Sequence, residues 1–130
     1  MTPQALAYIK DRLTSAGLNY HFGRYDYGHG SPVYPYYVGE YNEDMAEAED
    51  GGQLTTLTIH AWARGNNAAM ALEQGKAKIR ALFPPVGGDR AILDGSGVVV
   101  TYGRSQYIPT GDDELKRLEI TITVQEWSEE

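Results

Sequence analysis

Hydrophobic residues recur at helical spacing near the start of the chain, over residues 2–17. Thr2 fits the N-cap, Pro3 fits the first helical position, and Gly17 follows the last apolar residue. Because the apolar side chains share one stripe, the segment is predicted to be an amphipathic helix that lies on another element. That stripe consists of Leu6, Ile9 and Leu13.

A second helical pattern covers residues 67–83. Asn66 is expected to cap this helix, and Pro84 together with Pro85 ends it. Glycine inside a helix costs roughly 1 kcal/mol relative to alanine. The presence of Gly75 therefore predicts a close packing contact at that position.

Alternation of apolar and polar residues predicts strands in most of the remaining chain. The clearest alternation has aliphatic side chains on one face and Thr, Gln, His, Trp and Arg on the other. Pro35 lacks a backbone donor, so the second strand is expected to lie at a sheet edge or to begin there. The predicted strands are residues 18–27, 33–41, 53–64, 91–93, 98–102 with a continuation up to 108, and 115–127.

Acidic residues dominate residues 40–52, between the second and third predicted strands, and this stretch ends in two glycines. It has little apolar surface to bury, so we expect a long mobile hairpin loop. A shorter acidic loop is expected at residues 110–114. The residues singled out in these loops, for a lumen or a docking contact, are Glu43, Asp44, Glu47, Glu49, Asp50, Asp112 and Asp113.

The predicted element order is α-β-β-β-α-β-β-β within a single domain of residues 1–130. Strands that alternate in polarity are typical of an antiparallel sheet with one covered face. Two helices are enough to cover one face only. The pattern therefore predicts an α+β fold, a mainly antiparallel sheet with both helices packed on one face.

Charge and composition limit the classes of function. The formal net charge is −7, which argues against wrapping nucleic acid, because such binding needs Lys and Arg to neutralise phosphates. It permits DNA to pass through an acidic channel. The chain has no cysteine, which excludes disulfides, thiolate zinc sites and cysteine nucleophiles. No apolar run approaches about 18 residues and no signal-peptide core is present, so neither a membrane span nor secretion is expected.

Catalytic and metal-binding motifs are not apparent. The three histidines, His21, His29 and His60, lack metal-binding spacing, and the glycine-rich pieces do not match a phosphate-binding loop. The carboxylates of residues 112–114 stand in a loop without a supporting histidine. We therefore expect no enzyme activity, no cofactor and no metal.

Tyrosines are concentrated in the first two predicted strands and the turn between them, six of them between Tyr25 and Tyr41. On paired strands some of these rings fill the core and others remain exposed for contact. Tyr, Trp and Arg are enriched at the centres of protein interfaces. The residues predicted to form a subunit or partner interface are Tyr36, Tyr37, Tyr41, Trp62, Arg64 and Trp127.

Four segments in order carry a pattern that spans nearly the whole chain: ALAYIKDRLTSAGLNYHFG, YPYYVGEY, TLTIHAWARGNNAAMALEQGKAKIRALF and RLEITITVQEW. This pattern resembles the tail-completion and tail-terminator proteins of long-tailed bacteriophages, including the tail-to-head joining type. The second segment is similar to the family's P-Y-V-V-I-G-E stretch. Ala63 stands where the family often has Ser, and residues 25–41 are richer in Tyr than the family pattern.

The resemblance implies a structural virion protein. Such proteins form a hexameric ring at the head-proximal end of the tail tube, end tube polymerisation and join the tail to the head, while DNA passes through the lumen. It implies as partners further copies of the chain, the tail-tube protein and a head connector or head-completion protein, and no membrane. The expected location is the virion tail, after assembly in the host cytoplasm. Six acidic loops facing the lumen would form a negative ring along which DNA slides.

Two other classes of function stay open at this point. A head-completion or connector component on the portal side would also be a small acidic ring subunit. A small ligand-binding or enzymatic α+β domain would use the sheet face around His60, Trp62 and Arg64 as a pocket. A stacking platform for single-stranded nucleic acid is disfavoured, because the acidic chain supplies few cations for the backbone.

Overall fold

The structure, a computed structural model, describes residues 1–47 and 53–128. The first helix, α1 (Pro3–Ser15), lies where the sequence predicts it. The Thr2 side chain accepts a hydrogen bond from the backbone N–H of Ala5 at 3.2 Å, and the chain leaves the helix through Gly17 at φ +87°. The buried side of α1 carries Ile9 and Leu13, as the apolar stripe requires.

The second helix, α2 (Ala68–Leu82), confirms the second helical pattern with one difference at its start. Asn67 occupies the N-cap in place of the expected Asn66, and its side chain makes no capping hydrogen bond within the described part of the chain. The close contact predicted at Gly75 is present: a Cβ at this position would overlap the ring and hydroxyl of Tyr37. Glycine therefore lets α2 approach the sheet closely.

Six strands form one sheet in the order β1-β2-β3-β6-β5-β4. β1 is parallel to β2, and all other neighbouring strands are antiparallel. The predicted element order and fold class are thereby confirmed. The strands are β1 (Tyr20–Phe22), β2 (Tyr36–Glu47), β3 (Gln53–Arg64), β4 (Asp89–Leu93), β5 (Ser96–Ile108) and β6 (Leu115–Ser128).

The core lies between the helices and one face of the sheet. Over residues 57–64, β3 alternates between buried aliphatic side chains and more exposed polar or aromatic ones, and β6 alternates in the same way over residues 118–125. Both helices turn their buried stripes to this face and contact each other. The fully buried aliphatic residues of the two strands are Leu57, Ile59, Ala61, Leu118, Ile120, Ile122 and Val124.

A β-bulge interrupts β5 between Tyr102 and Arg104. Before the bulge Val98, Val100 and Tyr102 face the core, and the extra residue Gly103 then reverses the alternation. As a result, Tyr107 lies on the helix side, where its hydroxyl donates a hydrogen bond to Glu73 of α2 at 2.9 Å.

The expected mobile loop over residues 40–52 is wrong for residues 40–47, which belong to β2. Their backbone pairs with β3, from Glu40 opposite Thr58 to Glu47 opposite Gln53. The reason is tertiary: β3 is long and offers a ladder of backbone partners, which outweighs the low strand propensity of acidic residues. Glu49, Asp50 and the remainder of the expected loop, residues 48–52, lie outside the described residues.

The first strand is shorter than predicted, three residues in place of residues 18–27. β1 ends at Phe22. The next residue, Gly23, donates its backbone N–H to the Gly39 carbonyl at 2.9 Å, and its φ of +87° then turns the chain away. Because β1 runs parallel to β2, the chain must travel back before it enters β2. Residues 23–35 make that connection.

Candidate interaction surface

The sheet face opposite the helices carries no helix in the part of the chain that the structure describes. β3 presents Thr58, His60 and Trp62 on this face, and β6 presents Arg117 and Glu119. An uncovered sheet face of this kind is exposed unless something else packs on it. We refer to it as the open face.

A row of three side chains crosses the open face at one end. Tyr36 of β2 is the backbone partner of Trp62 of β3, and Trp62 is the partner of Arg117 of β6. The rings of Tyr36 and Trp62 are stacked with centroids 6.3 Å apart, and the Arg117 guanidinium carbon lies 4.9 Å from the Trp62 ring centre. Trp62 is thus held between a tyrosine and a cation, and its rotamer is fixed before any partner arrives.

His60 links this row to the strand edge. Its Nδ1 lies 2.9 Å from a guanidinium nitrogen of Arg117, and its Nε2 lies 2.8 Å from a carboxylate oxygen of Glu40. A guanidinium can only donate, so Nδ1 accepts and the ring proton must sit on Nε2, which donates to Glu40. This tautomer assignment follows from the hydrogen bonds. Glu40, His60 and Arg117 therefore form one connected polar chain beside Trp62.

The loop before β2 extends the row with further rings. Tyr25 packs on Tyr36 with centroids 5.0 Å apart and stacks on His21 at 4.2 Å. The ring centroid of Tyr34 lies 5.5 Å from that of Tyr36. We call Tyr25, Tyr34, Tyr36, Trp62 and Arg117 the aromatic patch.

A shallow groove of about 310 Å³ runs between Tyr25 and His60 across the patch. Burial, followed by the neighbouring tyrosines, raises the pKa of Tyr36 above its ordinary value of 10.0. The Nε of Arg117 is buried and has no hydrogen-bond partner among the described residues. The patch thus combines fixed rings, a cation and an exposed carboxylate, Glu40, at its rim.

The structure brings together two of the six predicted interface residues, Tyr36 and Trp62. The prediction of Tyr37 as an interface residue is wrong. Its side chain is 1% exposed and its ring lies against α2, so no partner can contact it. The period-two alternation of β2 puts it on the face opposite Tyr36. Tyr41 also lies on the helix side, packed against the core with its ring centre 5.7 Å from that of Phe22.

Arg64 and the 110–114 loop occupy the end of the sheet next to the patch. A guanidinium nitrogen of Arg64 lies 3.2 Å from a carboxylate oxygen of Asp112. The backbone N–H of Glu114, with the Arg64 guanidinium, holds the pKa of Asp112 below its usual value. Asp112 thus shapes its own turn, whereas Asp113 is exposed with no hydrogen bond among the described residues.

Trp127 lies on the open face at the far end of β6, away from the patch. Its ring covers Gly97 of β5, where a Cβ would overlap it, and the Arg90 guanidinium carbon is 6.0 Å from its ring centre. Trp127 is therefore half-buried against its neighbours. The acidic residues Glu43, Asp44 and Glu47 lie in β2, and Glu49 and Asp50 are outside the described residues.

Sequence reasoning did not find the roles of Arg117 and Glu40. Both contacts run diagonally between neighbouring strands, and they become visible only when the register of β2, β3 and β6 is known. The alternation of β6 did place Arg117 on the polar face. The alternation alone does not predict which strand pairs with β6.

The arrangement of polar groups around His60 does not form a nucleophile–base pair, since both ring nitrogens are occupied by Glu40 and Arg117. Among the described residues, no three His, Asp or Glu side chains converge as metal ligands. A larger cleft of about 550 Å³ lies beside the start of α2 and is lined mostly by residues 107–113. The side chains of the open face are therefore suited to aromatic contacts and to charge-assisted hydrogen bonds with a partner.

Comparisons with known proteins add no relative: no protein-family model matches the chain, and the search of curated proteins finds no match. Over the described ranges, neither helix has both the length and the apolar character that a membrane crossing requires.

Proposed function

We propose that this chain is a structural subunit of a bacteriophage tail, which forms a ring at the head-proximal end of the tail tube. In this role it ends tube polymerisation and joins the tail to the head while DNA passes through the lumen. The observation that carries the proposal is the open face with its aromatic patch. The sequence resemblance supplies the context of the tail.

The aromatic patch has the properties of a protein-binding centre. Trp, Tyr and Arg are the residue types that dominate interface energies, and here all three are adjacent. Trp62 is fixed by Tyr36 and Arg117, so binding a partner costs little side-chain entropy. These features favour a large partner over a soluble metabolite, since the groove on the patch is shallow and open.

The charge of the chain is compatible with a lumen for DNA. The net charge is −7, and repeated copies around a hole would repel phosphates and let the polymer slide. A subunit that held DNA in place would need the opposite charge balance. The same charge favours a structural role without nucleic-acid affinity.

The test is electron microscopy of the protein mixed with tail tubes assembled from the tube protein of the same phage genome. We expect rings and capped tube ends, and no turnover of small substrates. The variant Trp62→Ala is expected to weaken capping by about thirtyfold, the effect of losing an interface anchor worth about 2 kcal/mol. The matched control is Val86→Ala, at an exposed valine outside the patch, which should cap as the wild type does.

The same mixtures distinguish a portal-side role. If the wild type binds the portal complex and leaves tubes uncapped, the head-completion function replaces the tail-terminator function. If it forms rings with neither partner, the proposal is wrong.

One observation favours a second candidate, a small ligand-binding domain. The groove across the patch is lined by Tyr25, His60 and Arg117, which could orient a planar anionic molecule. Saturable binding of such a molecule, lost in Arg117→Ala while tube capping is retained, would support this candidate.

A further inference from the structure

Two strands of the sheet have edges without a backbone partner in the described residues. β1 covers β2 only as far as Gly39, so the outer edge of β2 is free from Glu40 onward. β4 covers β5 as far as Val100, and the Tyr102 N–H bonds to the Phe83 carbonyl at 2.9 Å. The outer edge of β5 is therefore free over residues 103–108.

Free edges of this length are templates for strand addition. These two lie on opposite sides of the same sheet, and β2 and β5 run in opposite directions across it. When the β5 edge of one copy meets the β2 edge of another, the two strands are antiparallel, and the sheet continues from copy to copy. Such a contact is heterologous, which is the kind that generates rings.

The two edges also differ in charge. The β2 segment from Glu40 to Glu47 contains four acidic residues and no basic one. β5 contains no acidic residue, and Arg104 on its free edge is exposed and makes no ion pair within the described chain. An acidic edge and a basic edge attract each other, whereas two β2 edges would repel.

We infer that copies of this chain associate through these edges, the free part of β2 in one subunit pairing with residues 103–108 of β5 in the next. The inference rests on the proposed ring and names the contact that builds it. The open faces of successive subunits then form one continuous surface, on which the aromatic patches repeat.

The positions of the two free edges determine how far each subunit is shifted along the strand direction relative to the next. Glu40 and Arg104 lie in the same row across the sheet, through Thr58 and Thr121. Pairing Arg104 with the middle of the free β2 edge shifts each subunit by about four residues along the strands, roughly 13 Å. A closed ring built with this shift has strands tilted to its axis, as in a barrel.

Cross-linking tests the contact directly, because the chain has no cysteine of its own. The probe is the double variant Asn42→Cys with Arg104→Cys, treated with a short bismaleimide under conditions in which wild-type rings form. We expect a ladder of products up to the closed ring. A mixture of the two single variants should stop at dimers, and each single variant should give none.

The matched control pairs Asn42→Cys with Gln74→Cys, an exposed position on α2, and should give no ladder. The variant Arg104→Glu is made in the chain without added cysteines. Because it places an acidic residue opposite the acidic β2 edge, it should raise the concentration needed for ring formation about tenfold.

Three results would overturn the inference. Rings without a ladder would show that the edges serve another purpose, and the proposed function would stand. Dimers of Asn42→Cys by itself would indicate a symmetric contact instead. If the wild type neither forms rings nor caps tubes, the proposed function and this contact fail together.

Discussion

At Gly75, the absence of a side chain decides how closely α2 packs on the sheet. The Tyr37 ring fills the place of the missing Cβ and is almost wholly buried there. Helix propensity favours alanine at this position, so packing and propensity oppose each other. Packing prevails because the Tyr37 ring is rigid and enclosed.

Gly75→Ala is accordingly expected to destabilise the protein by about 1–3 kcal/mol, despite the better helix propensity of alanine. The measurement is the free energy of unfolding in urea. Ala77→Gly, at an exposed position of the same helix, is the control and should lose about 1 kcal/mol through propensity alone. Greater stability in Gly75→Ala would contradict the packing described here.

The buried phenol of Tyr20 is expected to make the stability of the protein depend on pH in the alkaline range. Burial raises its pKa to about 12 from an ordinary value of 10.0. The folded state favours the neutral phenol, so this contribution is complete below pH 10 and is lost as the pH rises through about 12. The loss amounts to about 3 kcal/mol for two pKa units.

Urea unfolding at pH 9 and pH 11.5 measures most of that loss, about 2 kcal/mol. Tyr20→Phe should show a clearly smaller decrease between the two pH values than the wild type. Tyr27→Phe, at an exposed tyrosine, should behave as the wild type. An equal decrease in all three proteins would exclude the role of Tyr20.

At the scale of elements, the start of α1 is fastened to the end of β6. The Thr2 hydroxyl and backbone N–H both donate to one carboxylate oxygen of Glu126, at 2.6 and 3.1 Å. The same hydroxyl caps the helix by accepting from Ala5. One side chain thus serves the helix terminus and one oxygen of the Glu126 carboxylate, which is 5% exposed; among the described residues its other oxygen, Oε2, is buried without a hydrogen-bond partner.

Thr2→Ala removes the two hydrogen bonds of the hydroxyl, to Glu126 and from the Ala5 N–H. We expect a loss of about 2–4 kcal/mol in the free energy of unfolding. Thr2→Ser keeps the hydroxyl and should retain most of the stability. Thermal unfolding followed by circular dichroism measures the difference. Equal losses in the two variants would show that the methyl group, and not the hydroxyl, is what matters.

The elements differ in how well the sequence predicts them. β3 and both helices could be predicted because their periodicity is long and their caps or stops are local. The extent of β2 could not, because residues 40–47 are strand by virtue of their partner β3. The candidate site shows the same division: Trp62 and Tyr36 follow from residue type and alternation, whereas Arg117 and Glu40 require the register.

For the whole molecule, the sheet is supported on one side only. β3 and β6 lie at its centre, paired on both edges and buried under the helices, whereas residues 24–33 lack regular structure at the margin. Local opening should therefore be graded across the protein.

Hydrogen exchange measures this gradient. The amides of Ile59 and Ile120 should exchange at least ~100-fold more slowly than those of residues 24–33. On assembly, the amides of residues 103–108 should gain protection, since their outer edge acquires a partner. Unchanged exchange there in the assembled ring would argue against strand pairing.

The bulge at Gly103 sets which way the outer half of β5 faces. Because Gly103 is the unpaired residue, deleting it would leave Tyr102 opposite Ile122 and Arg104 opposite Thr121, so Arg104 would stay on the open face. A one-residue deletion is therefore compatible with the fold at the bulge, whereas the loss of one residue farther along the strand would exchange the two faces for the residues that follow it.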